Sequence, residues 1–386
     1  MLLLLPAFES PPAAPRAEGL RRWLSGFDVG WVLEIDTADS SSSSFRSLRR
    51  REVGTRVRIW AQALSTMDAV FRLRQRNDAA PALGELASET AGAMLRLAPA
   101  VAALESSPSA LLAALDVYVP VSEMYPGLAW IFSWCASHPV SVAADAALAA
   151  LVDAARRCVR GLPASIRTRH YYPWRMPQGG EVHPCVGFWM GYFRCMLRNR
   201  VSLYLLADEP TTTTPGGILA ELISCLEEVL EEKSSALAFP GLRQVFMLNN
   251  THAIVRRAVR SDLTLVLPPR WRREREDRME GYVNGYLDAS WAPVVSRLDL
   301  QSSVKLNSVL GRRRDPLGAF YSAMENACSV QRCWKVPSPV LRRVLRRTVW
   351  EHVVPVYGRY LDEAGQPAAA RTVEEVERQL SELFEG

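Results

Sequence analysis

The feature that most constrains this chain is a helical periodicity cut at short intervals by proline and glycine. Ile59, Leu64, Met67, Val70 and Phe71 recur three and four residues apart, and "LGELASETAGAMLRLAPAVAAL" repeats the pattern. "SSPSALLAALDVYVPVSEMYPGLAWIFSW" opens with Ser107 as N-cap and Pro108 at the first helical position. The alanine-rich "VAADAALAALVDAARRCVRGL" predicts a further helix ending near Gly161. A Pro/Gly-rich connection over 162–186 follows, then the apolar helix "VGFWMGYFRCMLRNRVSLYLLA" and the loop "DEPTTTTPGG" (208–217). Helices are predicted over 218–236, 240–262, 272–299 and about 314–330, with a final pair at the end. Strand-like alternation is almost absent, so the predicted fold class is all-α. No fixed period of roughly 30–45 residues recurs, which argues against tetratricopeptide and HEAT arrays.

Three stretches differ in texture. Residues 1–54 form a loosely specified, partly disordered arm with "PPAAP" and the serine tract Ser40–Ser44. Residues 55–240 predict middle helical bundles, and 241–386 a C-terminal bundle with a basic surface. The opening "MLLLLP" has neither a basic flank nor a small-residue cleavage site and is read as neither signal nor anchor. No apolar run approaches the roughly 18 residues of a membrane span.

Charge is unevenly placed. Of 46 basic and 41 acidic residues, 241–386 hold 23 and 17. The excess there points to an anionic partner: lipid headgroup, acidic protein or nucleic acid. The seven cysteines include no C-x-x-C pair and read as scattered reduced thiols.

Chemistry-bearing motifs are missing. His138, His170, His183, His252 and His352 lie far apart, with no H-E-x-x-H and no cysteine at ligand spacing, so no metal site is expected. There is no G-x-S-x-G, no phosphate loop and no G-x-G-x-x-G after a strand, so neither catalysis nor a cofactor is expected. In "RWRREREDR" (270–278), Arg270–Glu274 and Glu274–Arg278 are i,i+4 pairs on a solvated helix face. No aromatic ladder accompanies them, so nucleic acid is not the expected partner.

The stronger basic feature is "KVPSPVLRRVLRRTVWEHVVPVY", a helix with Ser338 at N-cap and Pro339 at N1. At about 100° per residue, Leu341, Val344, Leu345 and Thr348 share one face. Arg342, Arg343, Arg346 and Arg347 spread over the opposite arc. With Arg312, Arg313 and Arg314 they would form one cationic surface, suited to an anionic membrane. An ordinary arginine-coated helix is the plainer reading.

Several stretches together resemble one family, the seventy-kilodalton subunit of the exocyst in its plant form. "FMLNNTHAIVRRAVRSDL" is similar to its Leu/Met-Asn-Asn-x-His/Tyr-x-Ile-Val signature. "GGEVHP" with "FWMGYF" resembles its Gly-Gly-x-Val-His-Pro and Met-Asn-Tyr elements, with Gly191 in place of Asn. "LEEKS" matches the approach to the Asn-Asn helix, and "GYVNGYLDASW" the Tyr-x3-Tyr-x3-Ser-Trp run that ends at Trp291. "CWKVPSPVLRR" resembles the Trp-x-Val-Pro-Asp-Pro-x-Leu-Arg helix, "APAVAALESSPSALLAALDVY" its upstream Ala-Val-Ala…Ser-Pro…Leu-Asp-Met-Tyr stretch, and "VEEVERQLSELFEG" its close. The resemblance runs from about residue 55 to 386.

That resemblance implies an elongated rod of stacked antiparallel helical bundles, in a short member lacking the N-terminal coiled-coil region. It implies vesicle tethering in exocytosis, at the periphery of the plasma membrane in the cytoplasm, with other exocyst subunits as partners. It also implies phosphatidylinositol 4,5-bisphosphate binding by the C-terminal bundle, which by position falls to Arg342, Arg343, Arg346 and Arg347. Asn249, Asn250, His252, His183 and Trp291 are implied to be structural signature residues, with no catalytic role. Relatives carry lysines and a Tyr-x-Lys-Tyr element before the last helix, where "LDEAGQPAAARTVEE" keeps only Arg371. Pro293 is expected to kink the helix after Trp291. The alternative is a diverged interaction module outside the complex, a partner or decoy for immune or pathogen proteins in plant defence.

Overall fold

The computed structural model describes residues 95–132, 138–168, 175–197, 215–298, 315–365, 367 and 370–385, with a few single positions before them. Apart from single positions such as Arg22, Gln62 and Ser65, the arm 1–54 and the helix beginning near Thr55 lie outside the described residues, as do Arg312, Arg313 and Arg314. Every regular element among the described residues is helical, so the fold is all-α.

Proline sets where these helices begin. Pro108, Pro139, Pro184, Pro215, Pro240, Pro316 and Pro339 are each the first residue of a helix. The ring lacks an N–H that would be unpaired there anyway, and its fixed φ is already helical. Side chains cap the turn just before. Ser107 Oγ accepts from Ala110 N–H at 3.1 Å and His138 Nδ1 from Val140 N–H at 3.2 Å.

The chain forms two compact units, residues 1–165 with 195–215, and 166–194 with 216–386. In the first, α1 (Leu97–Ala102) packs on α2 (Pro108–Ile131), and most of α3 (Pro139–Arg167) completes the described part. Arg157 on α3 donates to the Ala102 carbonyl at 2.9 Å, tying off the end of α1. Helix α3 does not stop near Gly161 but runs to Arg167. A helical glycine costs about 1 kcal/mol. Pro163 adds roughly 3 kcal/mol, and burying Leu162 and Ile166 beyond the glycine gains roughly 1.5–3 kcal/mol each, enough to offset the two.

The second unit holds most of α4 (Pro184–Leu197), then α5 (Pro215–Ser234), α6 (Pro240–Val259), α7 (Trp271–Ser290), α8 (Ala292–Val295), α9 (Pro316–Arg332), α10 (Pro339–Glu363) and α11 (Val373–Ser381). Helix α5, which the sequence division at 240 places with the middle bundles, belongs to this unit. Helices α6 and α7 pack along most of their length. Their crossing needs Gly241, because a Cβ there would run into the Ser290 hydroxyl and lie 3.3 Å from the Trp334 ring.

The predicted helix over 272–299 ends at Ser290, and α8 restarts with Pro293 in its first turn. Trp291 fills the joint, fully buried, its indole N–H donating to Tyr286 Oη at 2.7 Å. Tyr286 Oη in turn donates to Gln331 on α9.

The stretch 270–278 is not simply a solvated face. Arg275 is 3% exposed and forks onto Glu227 of α5, Nε to Oε1 at 3.1 Å and Nη2 to Oε2 at 2.9 Å. Ser224 Oγ accepts a further bond, and the guanidinium lies 4.7 Å over the Trp271 ring. Arg278 also joins Glu227, so the expected Glu274–Arg278 pair gives way to one across helices. Its i,i+4 partner is lost because the carboxylate on α5 sits where water cannot compete. Arg272–Glu276 is the exposed i,i+4 pair that does form.

Removing one member of a buried, doubly bonded ion pair leaves the other charge stranded, at a cost of about 3–5 kcal/mol. Glu227→Ala is expected to lose that much stability in urea titration. The paired change Glu227→Leu with Arg275→Leu is expected to lose far less.

Candidate functional site

Two polar arrangements stand out in the second unit: a clasp of buried amides and a groove lined by arginine. The clasp is built by neighbouring residues of α6. Asn249 Nδ2 donates to the Gly180 carbonyl at 2.8 Å and to the Lys335 carbonyl at 2.9 Å. Asn250 Oδ1 accepts from His183 N–H at 2.8 Å, and its Nδ2 donates to the Phe246 carbonyl at 2.7 Å. The two asparagines are 2% and 0% exposed.

Three stretches distant in sequence are therefore held at one point: the loop "GGEVHP", the middle of α6, and "WKVP" before α10. Lys335 N–H donates to the Gly179 carbonyl at 2.8 Å, and Lys335 Nζ pairs with Glu181 at 2.9 Å. Gly180 has φ +83°, a left-handed conformation that glycine adopts at no cost and that turns its carbonyl toward Asn249.

His183 ends this loop and caps α4. Its Nδ1 accepts from Cys185 N–H at 3.2 Å, so the neutral ring carries its proton on Nε2. Burial, with Lys233 nearby, pushes its pKa down to about 4, and burial pushes the Cys185 thiol up to about 12. His252, one turn beyond the clasp and half-buried, is held below the ordinary imidazole range by burial and by Arg256. No cluster of three His, Cys, Asp or Glu side chains suited to a metal ion occurs among the described residues.

The second arrangement brings Arg342, Arg343, Arg346 and Arg347 into one groove of about 530 Å³ between α10 and α11, with Trp350, Glu377 and Leu380. Ser338 Oγ caps α10. The buried face of α10 differs from the predicted one. Leu341, Leu345, Val349 and Val353 are buried, while Val344 is 43% exposed. The contact is rotated because α11 and the last turn of the chain, with Leu380, Leu383 and Phe384 buried, pack on that side.

The four arginines are not equivalent. Arg342 donates to the Val336 carbonyl and Arg346 to the Leu383 carbonyl, so both brace backbone at the ends of their neighbours. Arg347 pairs with Glu351 at 2.8 Å on the exposed side, and Arg343 is exposed. Trp350 was not singled out from the sequence. It is 42% exposed and donates to Glu377 of α11 at 2.9 Å. Arg371 lies 4.5 Å over the Tyr321 ring and pairs with Glu325, so it is occupied within the bundle.

These features define an all-helical scaffold whose most buried polar residues tie helices together. Residues 59–382 match the family model for the C-terminal region of the Exo70 exocyst complex subunit, and the chain belongs to that family. Its members are parts of a complex, not enzymes. Exocyst complex component EXO70B2 of Arabidopsis thaliana is 27% identical over 316 residues, covering 78% of this chain and 51% of the relative. EXO70B1 of the same plant is 27% identical over 309 residues, covering 76% and 49%. The chain thus spans about half the length of these curated relatives. Two structures of Saccharomyces cerevisiae Exo70 share the fold. One has TM-score 0.58 at 12% identity, covering 96% of this chain and 77% of the other. The second has TM-score 0.57 at 13% identity, covering 86% and 70%.

The His183 cap carries a pH dependence whose sign follows from its lowered pKa. Between about 4 and 6.5 the unfolded chain takes up the proton and the folded chain does not. His183 stability is therefore complete above pH 6.5 and is lost as pH falls toward 4, at up to ~1.4 kcal/mol per unit. Relative to His183→Asn, whose side chain does not titrate, wild type is expected to lose stability in urea titration as pH falls from about 7 to 4.

Proposed function

We propose that this chain acts as an exocyst-type subunit in vesicle tethering, and that its α10–α11 groove engages anionic lipid of the plasma membrane, phosphatidylinositol 4,5-bisphosphate in particular. The convergence of Arg342, Arg343, Arg346 and Arg347 on one open groove carries this reading. Guanidinium forks match phosphate oxygens in bidentate fashion, and a basic residue near an anionic surface contributes about 1 kcal/mol. Arg342 and Arg346, braced on backbone carbonyls, hold fixed charge at the floor, while Arg343 and Arg347 are exposed to reach a headgroup. Trp350, half out of the surface with a polar edge, suits the boundary between headgroup and acyl chain. No described helix is long and apolar enough to cross a membrane, so the proposed association is peripheral. The similarity to exocyst components of Arabidopsis thaliana supports the tethering role and the other exocyst subunits as partners.

Liposome flotation tests the lipid claim. Because Arg342 and Arg346 are braces, the informative variant is Arg343→Glu with Arg347→Glu. Wild type is expected to float with phosphatidylinositol bisphosphate vesicles and less so as salt rises. The double variant is expected to lose on the order of thirtyfold in affinity or more, from about 1 kcal/mol per arginine. A folded wild-type protein that stays at the bottom of the gradient removes lipid binding from the account.

A further inference from the structure

A second cationic groove lies beside the Asn249 clasp, between α4 and α6. It holds about 470 Å³, and its lining shares no residue with the α10–α11 groove. Arg194 comes from α4, Arg256 and Arg257 from the last turns of α6, and Arg260 from just beyond it. All four are exposed, and among the described residues no acidic side chain lines the groove. Its apolar part is Val182, Met190, Ala253 and Pro337.

One detail leaves room for an occupant. Gly191 lies in the wall, where an added Cβ would meet nothing within 4 Å.

We propose that the α4–α6 groove docks an extended acidic peptide segment of a protein partner, its carboxylates on Arg194, Arg256, Arg257 and Arg260 and its apolar side chains on Val182, Ala253 and Pro337. A peptide supplies both the acceptors the arginines need and apolar side chains for Val182, Ala253 and Pro337, the apolar lining that is not fully buried. A free inositol polyphosphate supplies no apolar contact, which is why the peptide is favoured. Arg257 has room to swing because Gly187 faces it, its Nη2 lying 3.5 Å from where a Cβ would be.

The test is fluorescence anisotropy of a short fluorescein-labelled peptide alternating glutamate and leucine, titrated with the whole chain near physiological salt. Saturable binding is expected, weakened about tenfold or more by Arg256→Glu with Arg260→Glu, a loss of roughly 1.4 kcal/mol. Gly191→Asn, which fills the wall, is expected to weaken it as well. Arg343→Glu with Arg347→Glu is expected to leave it unchanged, since the two grooves share no lining residue. The substituted side chains are exposed, and unchanged thermal melts confirm that each variant is folded. Absence of saturable binding, or equal loss in both grooves' variants, overturns the proposal. So does binding of inositol hexakisphosphate at the same arginines with none by the peptide, which would make the groove a polyphosphate site.

Discussion

The second unit depends on the buried amides of Asn249 and Asn250. Together they bond the Gly180 and Lys335 carbonyls and the His183 N–H, groups that no helix or sheet satisfies. Each of those backbone groups, if left unpaired in the interior, would cost about 1–3 kcal/mol. An apolar residue in either position would leave them so, which is why two amides stand side by side among the mostly apolar buried residues of α6. The loop they hold ends in the His183 cap of α4, and the segment they hold leads into the Ser338 cap of α10. Pro184 and Pro339 start α4 and α10, and side chains of α6 hold the segments that lead into them.

Burial also divides labour among the charged residues. Arg275 and Glu227 are almost fully enclosed and bind α7 to α5, whereas Arg343 and Arg347 face water. Arg342 and Arg346 lie between these extremes, with their forks turned onto backbone carbonyls while still lining an open groove. A count of arginines along α10 therefore overstates the charge free to meet a ligand. The fold uses part of it to hold α11 and the end of the chain.

Local chemistry made much of the fold legible. Ser107-Pro108 and Ser338-Pro339 mark helix starts because a hydroxyl cap and a preset φ act within a few residues. Pro293 breaks the helix after Trp291 for the same local reason. What depends on a neighbour was not legible. Arg275 looks like its exposed neighbours in "RWRREREDR" until Glu227, on another helix, is set opposite it. The exposure of Val344 follows from where α11 docks, which periodicity along α10 does not encode. Within the candidate site, the spacing of the four arginines was readable, but their split between braces and exposed arms was not. Trp350 carried a faint signal: a tryptophan one turn after Arg346 and Arg347, on a helix otherwise polar on that side.

The central claim is that one pair of amides couples two segments distant in sequence. Amide hydrogen exchange on Asn249→Leu, compared with wild type, tests it most directly. The account predicts that residues 179–183 and 335–338 lose protection together while α7 and α9 keep theirs. Unchanged protection in both segments, or loss in only one, would contradict it.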